Sequence, residues 1–268
     1  MTCKEEIMND FSNKTIVITG AASGMGRAYA LEFAKLGANL ALNDYDDQSL
    51  RETEAMVKDV ADIKIMTSAF DVSNFEEMQK FGDQVKEILG PAFVVINNAG
   101  IEGTGDTATK TDVEAFRHVM DVNFYGVYNG SKVFLSHLEE KNEGILVNVS
   151  SIFGLVGIPR NVDYCASKFA VAGLTQSLMA EYHHSPISIH CVHPGGIDTN
   201  ISRRQDANSE KFKKAFLRTP PEKIARHVIN KISKKKPQIV FGYFSLPVWL
   251  AAKFCPLTLW NMIINRQL

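Results

Sequence analysis

The chain has 268 residues, 45 % of them hydrophobic and 22 % charged, with a formal net charge of −1. These are ordinary values for a globular α/β chain forming one large unit. Charge alone gives no sign of a nucleic-acid or membrane-surface partner, and no nucleic-acid role is expected.

Met1 to Asp10 is charged and lacks an apolar core, so it does not read as a signal peptide, and a reducing cytoplasm is the expected compartment. Thr15–Thr19 is a short β-branched run, expected as a buried strand. Gly20, Gly24 and Gly26 follow it, and a largely apolar helix is expected over Met25–Lys35, ending at Gly37. A glycine-rich turn between a strand and a helix suits phosphate binding: glycine allows close approach, and the helix start offers free N–H groups. The spacing here is G-x-x-x-G-x-G. A second strand, Asn39–Asn43, leads into Asp44, placed where a carboxylate accepts hydrogen bonds from an adenosine ribose and repels a 2′-phosphate. Ser23 stands before Gly24, no Lys or Arg follows Asp44 until Arg51, and Arg27 lies beyond the turn. These features favour NAD over NADP.

Further strands are expected at Lys64–Ala69, Phe93–Asn97, Ile145–Ser150, Ser188–Val192 and Gln238–Phe241. Helices are expected at Asp47–Val60, Asn74–Leu89, Thr111–Leu138, Tyr164–Tyr182 and Pro221–Lys231. Continuous apolar strands alternating with helices predict a parallel, doubly wound sheet of about seven strands with helices on both faces. No linker, repeat or low-complexity tract interrupts it, so a single domain over 1–268 is expected.

The most informative motif is Tyr164-Cys-Ala-Ser-Lys168, preceded by Ser151. Tyr and Lys at i, i+4 share one face of a helix. A free phenol has a pKa near 10 and is a poor base at neutral pH, and a nearby cation lowers that value. Such a Tyr exchanges a proton with an alcohol oxygen while Ser151 holds the same oxygen by a hydrogen bond.

Taken together, Thr19-Gly20-x-x-x-Gly24-x-Gly26, Asn97-Asn98-Ala99-Gly100, Asn123, Ser151, Tyr164-x-x-x-Lys168 and Pro194-Gly195 resemble the short-chain dehydrogenase/reductase family in order and spacing, from about Lys14 to Thr199. The resemblance implies a single-domain Rossmann fold binding NAD. It implies that Tyr164 is the general acid/base and that Lys168 lowers its pKa and bonds the nicotinamide ribose. Ser151 would orient the reacting oxygen, and Asn123, within a long central helix, would hold a water linking Lys168 to solvent. Gly20, Ser23, Gly24, Met25, Gly26 and Asp44 would hold the adenosine diphosphate half. Asp71 and Val72 would flank the adenine, and Asn98, Ala99 and Gly100 would run along the ribose. Pro194, Gly195, Ile197 and Thr199 would hold the nicotinamide amide. One departure is Gly196 and Asp198, expected to loosen and charge that loop. The family also implies pairing of the Thr111–Leu138 and Tyr164–Tyr182 helices between subunits, giving a homodimer or homotetramer.

No metal site is expected. The four cysteines, Cys3, Cys165, Cys191 and Cys255, form neither a C-x-x-C pair nor a zinc spacing. His190 and His193 flank a strand on opposite sides, and His183-His184 reads as a helix end. Cys165 is read as a small buried residue. Residues 200–220, rich in Lys and Arg, are read as a flexible substrate lid or as a solvated helix face. Residues 245–268 form an apolar extension interrupted by prolines and Lys253. It is expected to close over a hydrophobic substrate, to dock on a partner subunit or to lie on a membrane, in that order, and it is the only expected route to membrane contact. With Ile152, Phe153, Leu155, Val156 and Ile158 near the chemistry, these features point to a bulky apolar alcohol or ketone, steroid-like, retinoid-like or long-chain. The alternatives are a 3-oxoacyl thioester reductase using NADPH and a non-catalytic NAD-binding sensor.

Overall fold

The structure is a computed structural model that describes residues 11–199 and 216–267. Most of the expected lid, 200–215, therefore lies outside the described residues. Seven strands form one sheet in the order β3-β2-β1-β4-β5-β6-β7, and every neighbouring pair is parallel. They are β1 (Thr15–Thr19), β2 (Asn39–Asp44), β3 (Ile65–Ala69), β4 (Val94–Asn97), β5 (Ile145–Val149), β6 (Ser188–Pro194) and β7 (Gln238–Phe241). The helices are α1 (Gly24–Lys35), α2 (Asp47–Val60), α3 (Phe75–Leu89), α4 (Val113–Met120), α5 (Gly126–Lys141), α6 (Val162–Glu181), α7 (Pro221–Ser233), α8 (Ser245–Phe254) and α9 (Leu257–Gln267).

Side chains alternate along a strand, so each strand feeds both faces of the sheet. Ile16 and Ile18 join Phe33, Leu40, Leu42 and Val228 in one core, under α1 and α7. Val17 between them joins Met78, Phe81, Val95 and Phe134 in the other, under α3 and α5. The two-sided burial explains why the strands read as unbroken apolar runs. Polar side chains within the strands are tied together: Asn97 Nδ2 donates to Asn148 Oδ1 at 2.8 Å, and Asn148 Nδ2 to Thr175 Oγ1 on α6 at 3.2 Å.

The helix expected over Thr111–Leu138 is present from Val113 but carries a π turn, Asp121–Tyr125, between α4, which ends at Met120, and α5, which begins at Gly126. Asn123, fully buried, turns its amide to the chain after β4, accepting from Ile101 N at 2.7 Å and donating to Ile101 O at 2.9 Å. The apolar extension is two short helices separated at Cys255-Pro256, where proline has no N–H to continue the ladder.

The start of α1 shows how tightly the first turn is packed. A Cβ placed on Gly26 would overlap the Gly20 carbonyl oxygen. Alanine ordinarily stabilises a helix by about 1 kcal/mol over glycine. Gly26→Ala is expected to do the reverse and lower stability by about 2 kcal/mol or more, read as a lower urea midpoint by circular dichroism.

Candidate active site

All the expected site residues that the strands carry lie at the carboxyl ends of the sheet, because every strand runs the same way. β1 delivers the glycine turn, with Gly20 at φ +67° and Gly24 at φ +52°, a backbone that L side chains rarely adopt. A Cβ on Gly20 would lie 2.8 Å from Ala99 Cα, and one on Gly24 3.1 Å from Thr199 Cβ. The turn is thus pressed between the chain after β4 and the chain after β6.

Asn98 fixes it, its Nδ2 donating to Thr19 O at 3.0 Å and Gly20 O at 3.2 Å. Asn98 Oδ1 is buried without a hydrogen-bond partner. α2, α3 and α4 are capped by Asp46, Asn74 and Asp112, each accepting a backbone N–H. Ser23, in an extended conformation before α1, makes no such cap. The first-turn amides of α1, Met25 and Gly26 among them, are therefore not taken by a side-chain cap, which suits a phosphate oxygen. Asp44, buried at the end of β2, accepts from Ala22 N at 2.9 Å and Asp46 N at 3.1 Å, which fixes the carboxylate beside the turn. Uncapped amides, a glycine cradle and an adjacent carboxylate fit the adenosine diphosphate half of a dinucleotide.

Asp71 and Val72 follow β3. Asp71 is exposed and accepts from Ser73 N at 2.9 Å, while Val72 is buried against Gly126. Gly100 approaches both Asn123 and Lys168: a Cβ there would stand 3.0 Å from Asn123 Oδ1 and 3.2 Å from Lys168 Nζ. Pro194 ends β6, and the chain beyond it is held on both sides. Gly195 N donates to Phe241 O, Gly196 N to Tyr243 O and Asp198 N to Thr219 O, each at 2.8–2.9 Å. Ile197 is buried and bridges to Thr219. The expectation that Gly196 loosens this loop is therefore reversed. Gly196 permits the carbonyl of Phe216 to pack against it, where a Cβ would overlap.

Ser151, Tyr164 and Lys168 come together. Ser151 follows β5 and caps a single 3₁₀ turn, Ile152–Gly154, with its Oγ accepting from Phe153 N at 3.1 Å. Tyr164 lies in the first turn of α6, with the Ser151 hydroxyl close enough to its phenol to act on its pKa. Lys168, one turn further, is 2 % exposed, with Nζ donating to Val149 O at 3.3 Å and lying 5.6 Å from the Tyr164 ring centroid. Asn123 Nδ2 donates to Ser167 Oγ at 3.1 Å, tying the π turn to α6.

Burial dominates the electrostatics of the pair. The Tyr164 phenol is pushed up to about 12, chiefly by burial, against the lowering effect of the Ser151 hydrogen bond. The Lys168 ammonium is pushed down to about 8 by burial, offset in part by the neighbouring Cys191. Burial disfavours the charged form of each group, so the phenol keeps its proton and the amine loses one more readily.

Three contributors were not anticipated. Asp163, fully buried beside Tyr164, accepts from Tyr164 N at 2.8 Å and Thr104 N at 2.6 Å, latching the chain after β4 onto α6. Ser167 receives the Asn123 bond. His193, fully buried in β6, places Nδ1 3.0 Å from the Ser151 carbonyl oxygen, and its pKa is lowered by burial. An acid in a first helical turn and a His inside a strand are ordinary sequence features, and neither carried a signal. His190 faces away, with Nδ1 2.7 Å from Lys236 O. Cys165 is buried and its thiol raised by burial. Among the described residues no cluster of three or more His, Cys, Asp or Glu side chains could hold a metal ion, and no helix is long and apolar enough to cross a membrane.

This fold and site define a dehydrogenase of the short-chain class. The short chain dehydrogenase family model matches residues 14–210, and the chain belongs to that family of oxidoreductases. It is similar to SadH of Mycobacterium tuberculosis, 36 % identical over 245 residues and covering 88 % of each chain. It is 32 % identical over 218 residues to 3beta-hydroxysteroid dehydrogenase 1 of Eggerthella lenta, covering 81 % of this chain and 80 % of that one. The structure of a short chain dehydrogenase/reductase from Burkholderia phymatum in complex with NAD superposes with a TM-score of 0.83 at 26 % identity, over 96 % of both chains.

The lowered Lys168 pKa has a measurable consequence. An unfolded Lys holds its proton to about 10.4, whereas folded Lys168 releases it through about 8. Between those values the unfolded chain binds more protons, so this group's contribution to stability rises with pH. Lys168→Met is expected to be the more stable protein at pH 7 in urea, with its advantage over the wild type shrinking as pH rises from 8 to 10.

Proposed function

We propose that the protein interconverts a secondary alcohol and a ketone with NAD(H), as a single Rossmann domain over 1–268. The observation that carries this reading is the gathering of Ser151, Tyr164 and Lys168 after β5 and in the first turns of α6, with Lys168 buried one helical turn from Tyr164 and its Nζ 5.6 Å from the Tyr164 ring centroid. Bound NAD supplies the hydride chemistry. Gly20, Gly24 and the first amides of α1 would hold its pyrophosphate, and Asp44 would hold the adenosine ribose and repel a 2′-phosphate. Lys168 would hold the nicotinamide ribose, and Thr199 and Ile197 would hold the amide.

In the reducing direction Tyr164 donates its proton to the carbonyl oxygen while Ser151 holds that oxygen by a second hydrogen bond. In the oxidising direction Tyr164 accepts the proton. A protonated Lys168 one helical turn away would favour this by offsetting the burial that keeps the phenol protonated. Asn123 is a positioning residue, since it fixes Ile101 and Ser167 around this group. The substrate is bulky and apolar. Support comes from Ile152 and Val156 beside Ser151, packed with Val248 and Trp260 of the extension, and from the resemblance to a 3beta-hydroxysteroid dehydrogenase. The exposed Tyr125, Tyr128 and Phe169 on the α5 and α6 side support a homodimer or homotetramer.

Tyr164→Phe is expected to lose turnover by about 10²–10⁴-fold while still enhancing NADH fluorescence; undiminished turnover sinks the assignment. Asp44→Ser is expected to raise kcat/KM for NADPH relative to NADH, and a wild type that already prefers NADPH overturns the role of Asp44. In a substrate panel, hydroxysteroids and long-chain secondary alcohols should outrun polyols, and equal rates would contradict the apolar site.

A further inference from the structure

The extension leaves an unusual surface. α8 buries only Ser245 and Val248, and within the described side chains of α9 only Trp260 is buried, its Nε1 donating to Gly157 O at 3.0 Å. Around these anchors Leu246, Leu250, Phe254, Leu257, Met262 and Ile263 are all exposed, Phe254 by 78 % and Leu257 by 72 %. Contiguous apolar surface of this kind marks an interaction site.

Its charge identifies the partner. From Lys223 to Leu268 the chain carries eight lysines and arginines and no aspartate or glutamate, although the whole chain is net −1. The Trp249 Nε1 to Gln238 Oε1 bond, 3.1 Å, brings the middle of α8 back to the start of β7, two residues beyond the exposed run Lys234-Lys235-Lys236. Lys253 Nζ lies 4.0 Å from the Trp249 ring centroid, a cation and an indole side by side at the edge of the apolar surface. Lys and Trp suit a water–lipid boundary, where an apolar body and a polar end are both accommodated.

We infer that α8 and α9 dock this protein on the surface of an anionic lipid bilayer, with their apolar side chains in the headgroup boundary and the lysines against acidic lipid. The helices are 10 and 11 residues long and broken at Pro256, about half of a membrane span, so they lie in the plane. A second copy of the chain is the poorer occupant, because a two-fold contact brings these cations together with no carboxylate of the segment to pair with them. Docking here is independent of the substrate. It would place the segment carrying Ser151, which packs against Val248 and Trp260, next to the lipid.

The test is co-sedimentation of the full chain with vesicles of phosphatidylcholine alone and with phosphatidylglycerol added. Binding is expected to the anionic vesicles, weaker by about tenfold or more without the acidic lipid, and weakened by high salt. The double variant Phe254→Glu, Leu257→Glu changes two exposed side chains, and is expected to keep its NADH fluorescence and to lose vesicle binding by about tenfold or more. The inference is overturned if the wild type stays in the supernatant with anionic vesicles, or if the double variant binds them equally well. It is also overturned, in favour of a second copy, if the variant changes the mass in light scattering while the wild type ignores lipid.

Discussion

Seven strands that all run in one direction impose the constraint on which the rest of this molecule depends. A parallel sheet must be covered on both faces, so its strands are spent almost wholly on apolar side chains. Chemistry is then confined to the chain that emerges from the carboxyl ends. Gly20 after β1, Asp44 closing β2, Asn98 after β4, Ser151 after β5 and Gly195 after β6 are neighbours for that reason alone. Among the polar side chains that do enter the strands, Asn97 and Asn148 are bonded to one another, and Asn148 to α6, which joins the sheet to the helix bearing Tyr164 and Lys168.

Burial at that edge has opposite consequences for the two ionisable groups of the site. It holds the phenol in the form that gives up a proton and weakens the hold of the amine on its own. Burial thus sets the pair towards neutrality. The Ser151 hydrogen bond opposes burial in the direction the chemistry requires. Ser151 is itself fixed from two sides, by the 3₁₀ turn that it caps and by His193 at its carbonyl.

Much of this was legible in the residues. Thr15–Thr19 and Gln238–Phe241 matched the observed strands residue for residue, and the glycine turn with Asp44 could be placed because local pattern dictates it. What escaped depends on contacts between distant segments. The π turn at Asp121–Tyr125 accompanies the bonds between Asn123 and Ile101, and helical periodicity across Val113–Lys141 gives no hint of it. Gly196 reads as slack until Phe216 is placed against it. Asp163 reads as an ordinary first-turn acid, and its grip on Thr104 exists only in three dimensions. The depth at which Tyr164 sits was not legible, because spacing along a helix reports proximity to a cation and says nothing of burial.

The π turn also fixes a count. It holds one residue more than a regular helical turn would, and each residue of an α-helix advances its faces by about 100°. Removing a single position between Asp121 and Tyr125 would let the ladder close up as an ordinary helix. The helix downstream would keep its faces, because the extra residue is taken up within the turn, and Val133, Phe134 and Leu138 would stay in the core beside β4. What depends on the extra residue is accordingly the site and not the core: the bonds of Asn123 to Ile101 and Ser167.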